Sequence, residues 1–171
     1  LTNVTNVKNV TNEQDVLSRI EQLQNRYIRA LDDRNMRAWL DTFTLGAEAA
    51  YICTNRESVE GNLPVAMMLD DSRARLEDRV TFITKVWDGS FQDYRMRHFV
   101  QRLEHAEEGR LWRVRSNFRV VCTPIGRNQR VESVVGVYED LVDCSGESAV
   151  FVSRKAIVDD SVFPRYLVYP I

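Results

Sequence analysis

A chain of 171 residues, 44% hydrophobic, with a formal net charge of −2, is long enough to bury a sizeable core without staples and is most simply one domain. That charge draws it to neither nucleic acid nor an anionic membrane. Of its 23 basic residues 20 are Arg, since Lys occurs only at Lys8, Lys85 and Lys155; Arg makes bidentate carboxylate pairs and is favoured at protein interfaces, although a GC-rich genome gives the same bias.

Residues 1–12, with their repeated Asn-Val, read as a loosely held tail, and residues 13–171 as a single domain. A first helix is expected from Asn12 or Glu13, where Thr11 and Gln14 have capping-box spacing. Val16, Ile20, Leu23, Tyr27 and Leu31 recur on its apolar face, with Arg19, Gln22, Arg26 and Arg29 opposite. Asp33 or Asn35 can cap a second helix that presents Met36, Trp39, Leu40 and Phe43. Ala49 to Ser58 reads as a strand, and Gly61, Asn62 and Pro64 as a turn. A third helix is expected from Asp70 or Asp71, burying Leu76, Val80, Ile83 and Trp87 and broken by Asp88-Gly89-Ser90.

The rest alternates with a period of two. Tyr94, Met96, His98 and Val100 share one face. From Leu111, Val114, Ser116, Phe118, Val120 and Cys122 face one way, and Arg113, Arg115, Asn117 and Arg119 the other. Val131 to Cys144 is a further strand in which Gly136 suggests a bend or bulge. Ser148 to Val158, apolar on both faces, is expected to be central, and Tyr166 to Pro170 to add an edge. Links through Gly126 and Asn128, and through Ser145 and Gly146, suit hairpins. The expected architecture is α+β: a cone formed by a curved antiparallel sheet covered by three N-terminal helices.

Cys53, Cys122 and Cys144 are widely spaced and odd in number, which fits buried free thiols in a reducing cytoplasm better than a disulfide framework. No apolar run reaches membrane-spanning length, and the chain does not open with the order of a signal peptide, so a soluble, cytoplasmic protein is expected. His98 and His105, seven apart on one strand, should face opposite ways and cannot then chelate one ion. No zinc, phosphate-loop or nucleophile-elbow motif occurs. One enzymatic reading remains: Asp32, His98 and Tyr27 converging in the cone as the acid–base groups of an isomerase or dehydratase. Against it, Asp32 can cap a helix, His98 can pair with a carboxylate and Tyr27 can be core.

Several charged clusters punctuate the chain: Leu31-Asp32-Asp33-Arg34, Asp70-Asp71-Ser72-Arg73 with Leu76-Glu77-Asp78-Arg79-Val80, Arg97-His98, and Asp159-Asp160-Ser161-Val162 with Arg165. Together with Trp39, Phe43 and Val114-Arg115-Ser116-Asn117-Phe118, in this order from about Tyr27 onward, they resemble the β (small) subunits of Rieske-type aromatic-ring-hydroxylating dioxygenases. Where that family usually opens its penultimate strand with Gly-Trp, this chain has Gly146-Glu147-Ser148-Ala149. The resemblance implies a nuclear-transport-factor-2-like cone and a non-catalytic subunit with no cofactor of its own. It implies a β trimer supporting three α subunits in an α3β3 hexamer. The Rieske [2Fe–2S] cluster, mononuclear iron and substrate site would lie in the α subunit, and a reductase, with or without a ferredoxin, would bring electrons from NADH. It further implies that Asp32, Asp33, Arg34, Asp70, Asp71, Arg73, Arg79, Arg97, His98, Asp159, Asp160 and Arg165 hold the fold and its subunit contacts. The segment Tyr51 to Met68 and the context of Arg97-His98-Phe99 are most similar to members acting on aromatic acids.

Overall fold

The computed structural model describes residues 4–126, 130–163 and 167–171, with side chains described from Glu13 onward. Helix α1 spans Val4–Asp32, so it begins well before the expected start near Asn12 or Glu13, and Thr11 stands inside it instead of capping it. Once a helix is nucleated each further residue adds a hydrogen bond at little cost, and neither Gly nor Pro precedes Gly46 to stop it. Val16, Ile20, Leu23, Tyr27 and Leu31 are all buried. The Arg row is not simply wet: Arg19 donates to Cys144 O at 2.7 Å and Arg26 to Ala149 O at 2.5 Å.

Helix α2 (Met36–Leu40) is capped by Asn35, whose side chain accepts from Ala38 N. Strand β1 (Ala50–Asn55) ends at helix α3 (Arg56–Glu60), and β2 is only Met68–Asp70. Asp70 therefore belongs to a strand, and helix α4 (Arg73–Thr81) starts later than expected, capped by Ser72. A π-helical turn, Phe82–Val86, follows it. The wider turn shifts the phase of the helix, so Leu76 and Ile83 are buried but Trp87, expected inside, is exposed.

The remaining strands are β3 (Tyr94–Glu108), β4 (Leu111–Pro124), β5 (Glu132–Asp143) and β6 (Val150–Val158). Six strands form one open sheet in the order β2-β1-β6-β5-β4-β3. Neighbours are antiparallel except β1 and β6, which run parallel from Ala50↔Ser153 to Asn55↔Val158. β6 is central, as its two apolar faces require. Gly136 is in regular register with both neighbours, and the irregularity of β5 lies between Leu141 and Val142 instead. Leu167–Ile171 adds no strand. It closes the base of the cone, where Tyr94 Oη accepts from Val168 N and Tyr169 N, and Ile171 O accepts from the hydroxyls of Tyr27 and Tyr51. Asn128, in one expected hairpin link, lies outside the described residues.

All three cysteines are free and buried. Burial pushes the Cys53 thiol up to about 12 and that of Cys122 up to about 11, and raises that of Cys144 as well. A thiol so raised stays protonated and unreactive at pH 8. A disulfide-exchange reagent at that pH should therefore find no rapidly reacting thiol in the folded chain and all three in denaturant; rapid native labelling would contradict the buried placement.

Candidate functional site

The Asp-Asp-Arg cluster closes α1. A carboxylate at a helix C-terminus opposes the helix dipole, so Asp32 needs partners, and β3 supplies them. Asp32 Oδ1 lies 2.6 Å from His98 Nδ1, and Asp32 Oδ2 is 4.0 Å from Arg97. The His98 side chain is 0% exposed, and its Nε2 is buried without a partner among the described residues. Arg34 sits at φ 57° and bonds to the Asp93 carboxylate and Tyr94 O at the start of β3. Asp33 stays exposed on the turn. The cluster is a clasp between the α1–α2 turn and β3.

The second group splits by burial. Asp70, inside β2, takes a bidentate pair from Arg79 at 2.9 and 3.1 Å, which ties the short edge strand to α4. Arg73 is buried, and its guanidinium donates to Leu40 O, Phe43 O and Thr44 O, carbonyls at and just beyond the end of α2. It bridges onward to Glu77 at 3.1 Å. Asp71 reaches only Arg75, in an exposed pair. At the far end of β6, Asp159 Oδ1 accepts from Arg56 at 2.6 and 2.9 Å, and Asp160 Oδ1 accepts from Val162 N. Arg165 lies outside the described residues.

Sequence reasoning missed the most deeply buried charges. Arg154 of β6 is fully buried. It donates to Asp140 Oδ1 at 2.9 Å, to Asp140 Oδ2 at 2.7 Å and to Gln24 Oε1 at 2.5 Å. Its guanidinium carbon is 4.1 Å from the ring centroids of Tyr27, Tyr138 and Phe151, close enough for desolvated cation–π attraction. Burial raises the Asp140 carboxyl, opposed by Arg154, while the Asp140 charge holds Arg154 protonated. Burial pushes the Tyr27 hydroxyl up to about 12. A signal for Asp140 existed: it is in phase with Val134, Tyr138 and Val142. Arg154 gave the same kind of signal, standing in phase with Val152, Ala156 and Val158.

The two histidines require a correction. Both lie on β3, but its register shifts between Arg102 and Glu104, so His98 pairs with Val120 and His105 with Val114, on one face of the sheet. The bulge residue changes the parity of the strand. Six residues of β4 separate the two partners, about 20 Å at the rise of a strand, and His105 is paired with Glu13 at 3.2 Å. Distance and pairing, not opposite faces, keep them from sharing an ion. Among the described residues no group of three His, Cys, Asp or Glu is arranged to hold a metal. Asp32 Oδ1 and His98 Nδ1 are engaged with each other, the His98 side chain is fully buried, and Tyr27 is sealed in the core beneath Arg154; this geometry does not favour the isomerase or dehydratase reading.

The outer face of the sheet is different in kind. Phe99, Arg119 and Val135 stand in one row across β3, β4 and β5. Phe99 is 61% and Val135 47% exposed, with Leu103 exposed nearby. Arg95, Arg97, Arg113 and Arg115 flank them, exposed. At the opposite edge Leu63, Val65, Met67 and Leu69 are exposed at every second position, the reverse of a solvent-facing edge. Apolar patches bordered by Arg suit protein contacts.

An open, curved sheet with helices on one face and an apolar, Arg-bordered surface on the other defines a nuclear-transport-factor-2-like cone built for association. The sequence matches the ring hydroxylating beta subunit family over residues 26–165, and the chain belongs to that family: it is the small subunit of an aromatic-ring-hydroxylating dioxygenase, an oxidoreductase complex in which it pairs with a large subunit. It is 26% identical, over 96% of its length and 100% of the relative's, to the small subunit of anthranilate 1,2-dioxygenase from Burkholderia cepacia. Among solved structures it is similar to a beta subunit ascribed to an aromatic-ring-hydroxylating dioxygenase of Novosphingobium aromaticivorans (25% identity, 91% and 96% coverage of this chain and that one, TM-score 0.76). It is also similar to the beta subunit of benzoate 1,2-dioxygenase from Burkholderia mallei (26% identity, 86% and 93% coverage, TM-score 0.66).

Proposed function

We propose that this chain is a non-catalytic assembly subunit. In this reading it forms a trimer that carries three large subunits in an α3β3 hexamer, and the large subunits hold the Rieske [2Fe–2S] cluster, the mononuclear iron and the substrate. Electrons come from NADH through a reductase, with or without a ferredoxin, and the complex works in the cytoplasm in the breakdown of an aromatic compound. The observation that carries the reading is the closed Asp32–His98 pair. The acid–base groups that the fold could offer to a substrate are bonded to each other, with the His98 side chain fully buried. The substrate class we infer is an aromatic acid, supported by relatives named for anthranilate and benzoate.

The twelve charged positions from Asp32 to Arg165 then act on the fold and its subunit contacts. No helix among the described residues is long and apolar enough to cross a membrane. Asp32→Ala tests the proposal. It leaves His98 buried without its carboxylate and frees the α1–α2 turn from β3, so co-purification of the large subunit should fall. Turnover per iron in the hexamer that does form should stay within about twofold of the parent. Unchanged assembly with abolished turnover per iron would overturn the assembly role.

A further inference from the structure

We propose that copies of this chain meet through the outer face of the sheet, with Phe99 of one copy seated in a groove at the β5–β6 side of the next. The inference rests on the proposed trimer and assigns its contact to particular residues. The Phe99 side of the face is basic. Over residues 95–101 of β3 and 117–123 of β4 the outward positions carry Arg95, Arg97 and Arg119 and no carboxylate. Phe99 stands exposed among them. An aromatic side chain bordered by Arg has the composition of an interface centre.

The other side of the face is apolar and acidic. Val135, Val158, Val162 and Phe163 line a groove of about 490 Å³, and Val162 is exposed. Glu132, Asp159 and Asp160 are the charged residues that line it among those described. Asp159 is shared with Arg56, and Asp160 Oδ1 accepts from Val162 N, so the groove keeps a net negative charge. Phe99 cannot fill it within its own chain. Its row runs through Arg119 to Val135, two strand spacings or about 10 Å away. A second copy can, and its three Arg then approach the acidic groove while the phenyl group enters the apolar lining. Because this complementarity lies within one chain, it singles out another copy as the occupant. Phe99 and the groove are unlike surfaces, so the contact is heterologous, the type that closes into a ring of subunits. The curvature of the sheet around α1 turns the two away from each other, as the two contact faces of a ring member must be.

The test uses the intact complex, with its mass measured first. Phe99 is replaced by its photoreactive analogue p-benzoylphenylalanine, which keeps the aromatic side chain, and the irradiated chains are separated in denaturant. Covalent pairs and trimers of the small chain are expected, with the cross-link mapped to residues 132–135 or 158–163 of another copy. If that variant does not assemble, the same group at Gln101, the next outward position of β3, should give the same products. In a complex that holds three small chains, cross-links to the large chain, cross-links elsewhere on the small chain, or no product above the single small chain overturn the placement and leave the trimer standing. A complex that holds one small chain overturns the trimer and the placement with it.

Discussion

Asp140→Ala should be the most damaging single substitution in the chain. It leaves the Arg154 guanidinium fully buried, stripped of its bidentate partner and held only by Gln24 and three aromatic rings. Removing one member of a buried ion pair costs about 3–5 kcal/mol, a large share of the roughly 5–15 kcal/mol that holds a domain folded. Arg154→Leu should cost a comparable amount by leaving the Asp140 carboxylate in the same apolar surroundings. The double substitution Asp140→Leu with Arg154→Met should recover much of the loss, because neither charge is then stranded. Urea unfolding of the four proteins gives the coupling directly. A cost below about 1 kcal/mol for either single variant would mean that water reaches the pair and that the burial is wrong. Arg154→Lys should not rescue, since an ammonium cannot make the planar fork that meets both Asp140 oxygens.

Gly136→Ala should be nearly as damaging for a purely steric reason. A Cβ built at Gly136 falls 2.1 Å from Ile157 O and 2.8 Å from Phe118 Cζ. The first is a backbone atom of the neighbouring strand, and Val137, next along β5, is in register with Ile157, so that carbonyl cannot withdraw without disturbing the β5–β6 ladder. Phe118 is no freer, being stacked on Tyr138 at 4.3 Å between ring centroids. Overpacking commonly costs about 1–3 kcal/mol, and two fixed neighbours place this site at or above the upper figure. For a chain of this size that corresponds to a fall in Tm of about 6–12 °C. A Tm within about 2 °C of the parent would show that the strands part easily there.

These two sites also mark where the sequence could be read and where it could not. Period-two alternation made β4 and β6 legible, and helical spacing gave the buried face of α1 residue by residue, because each pattern repeats over many positions. The five residues of α3 and the three of β2 hold too few repeats to register. The bulge in β3 is a single extra residue with no composition of its own, and it inverted the inference about His98 and His105. Gly136 was noticed, but for a bend it does not make. What matters there is the approach of Ile157 from a strand that pairs only in three dimensions. The pairing of Arg154 with Asp140 was hidden for the same reason: their partners are Gln24 on α1, each other, and rings brought from three elements. The sequence brought Asp32 and His98 together only as acid–base groups, and otherwise set Asp32 as a helix cap and His98 against an unnamed carboxylate; that Asp32 is the carboxylate His98 pairs with required the fold.

The most direct test of the assembly role is the mass and iron content of the tagged chain recovered from its native host. The 19.9 kDa chain should emerge in a brown complex whose mass equals three copies of it plus three larger chains, with all iron and sulfide retained on the larger chain when the two are separated. An iron-free homo-oligomer with no larger partner, or iron that stays with the small chain, would contradict the account.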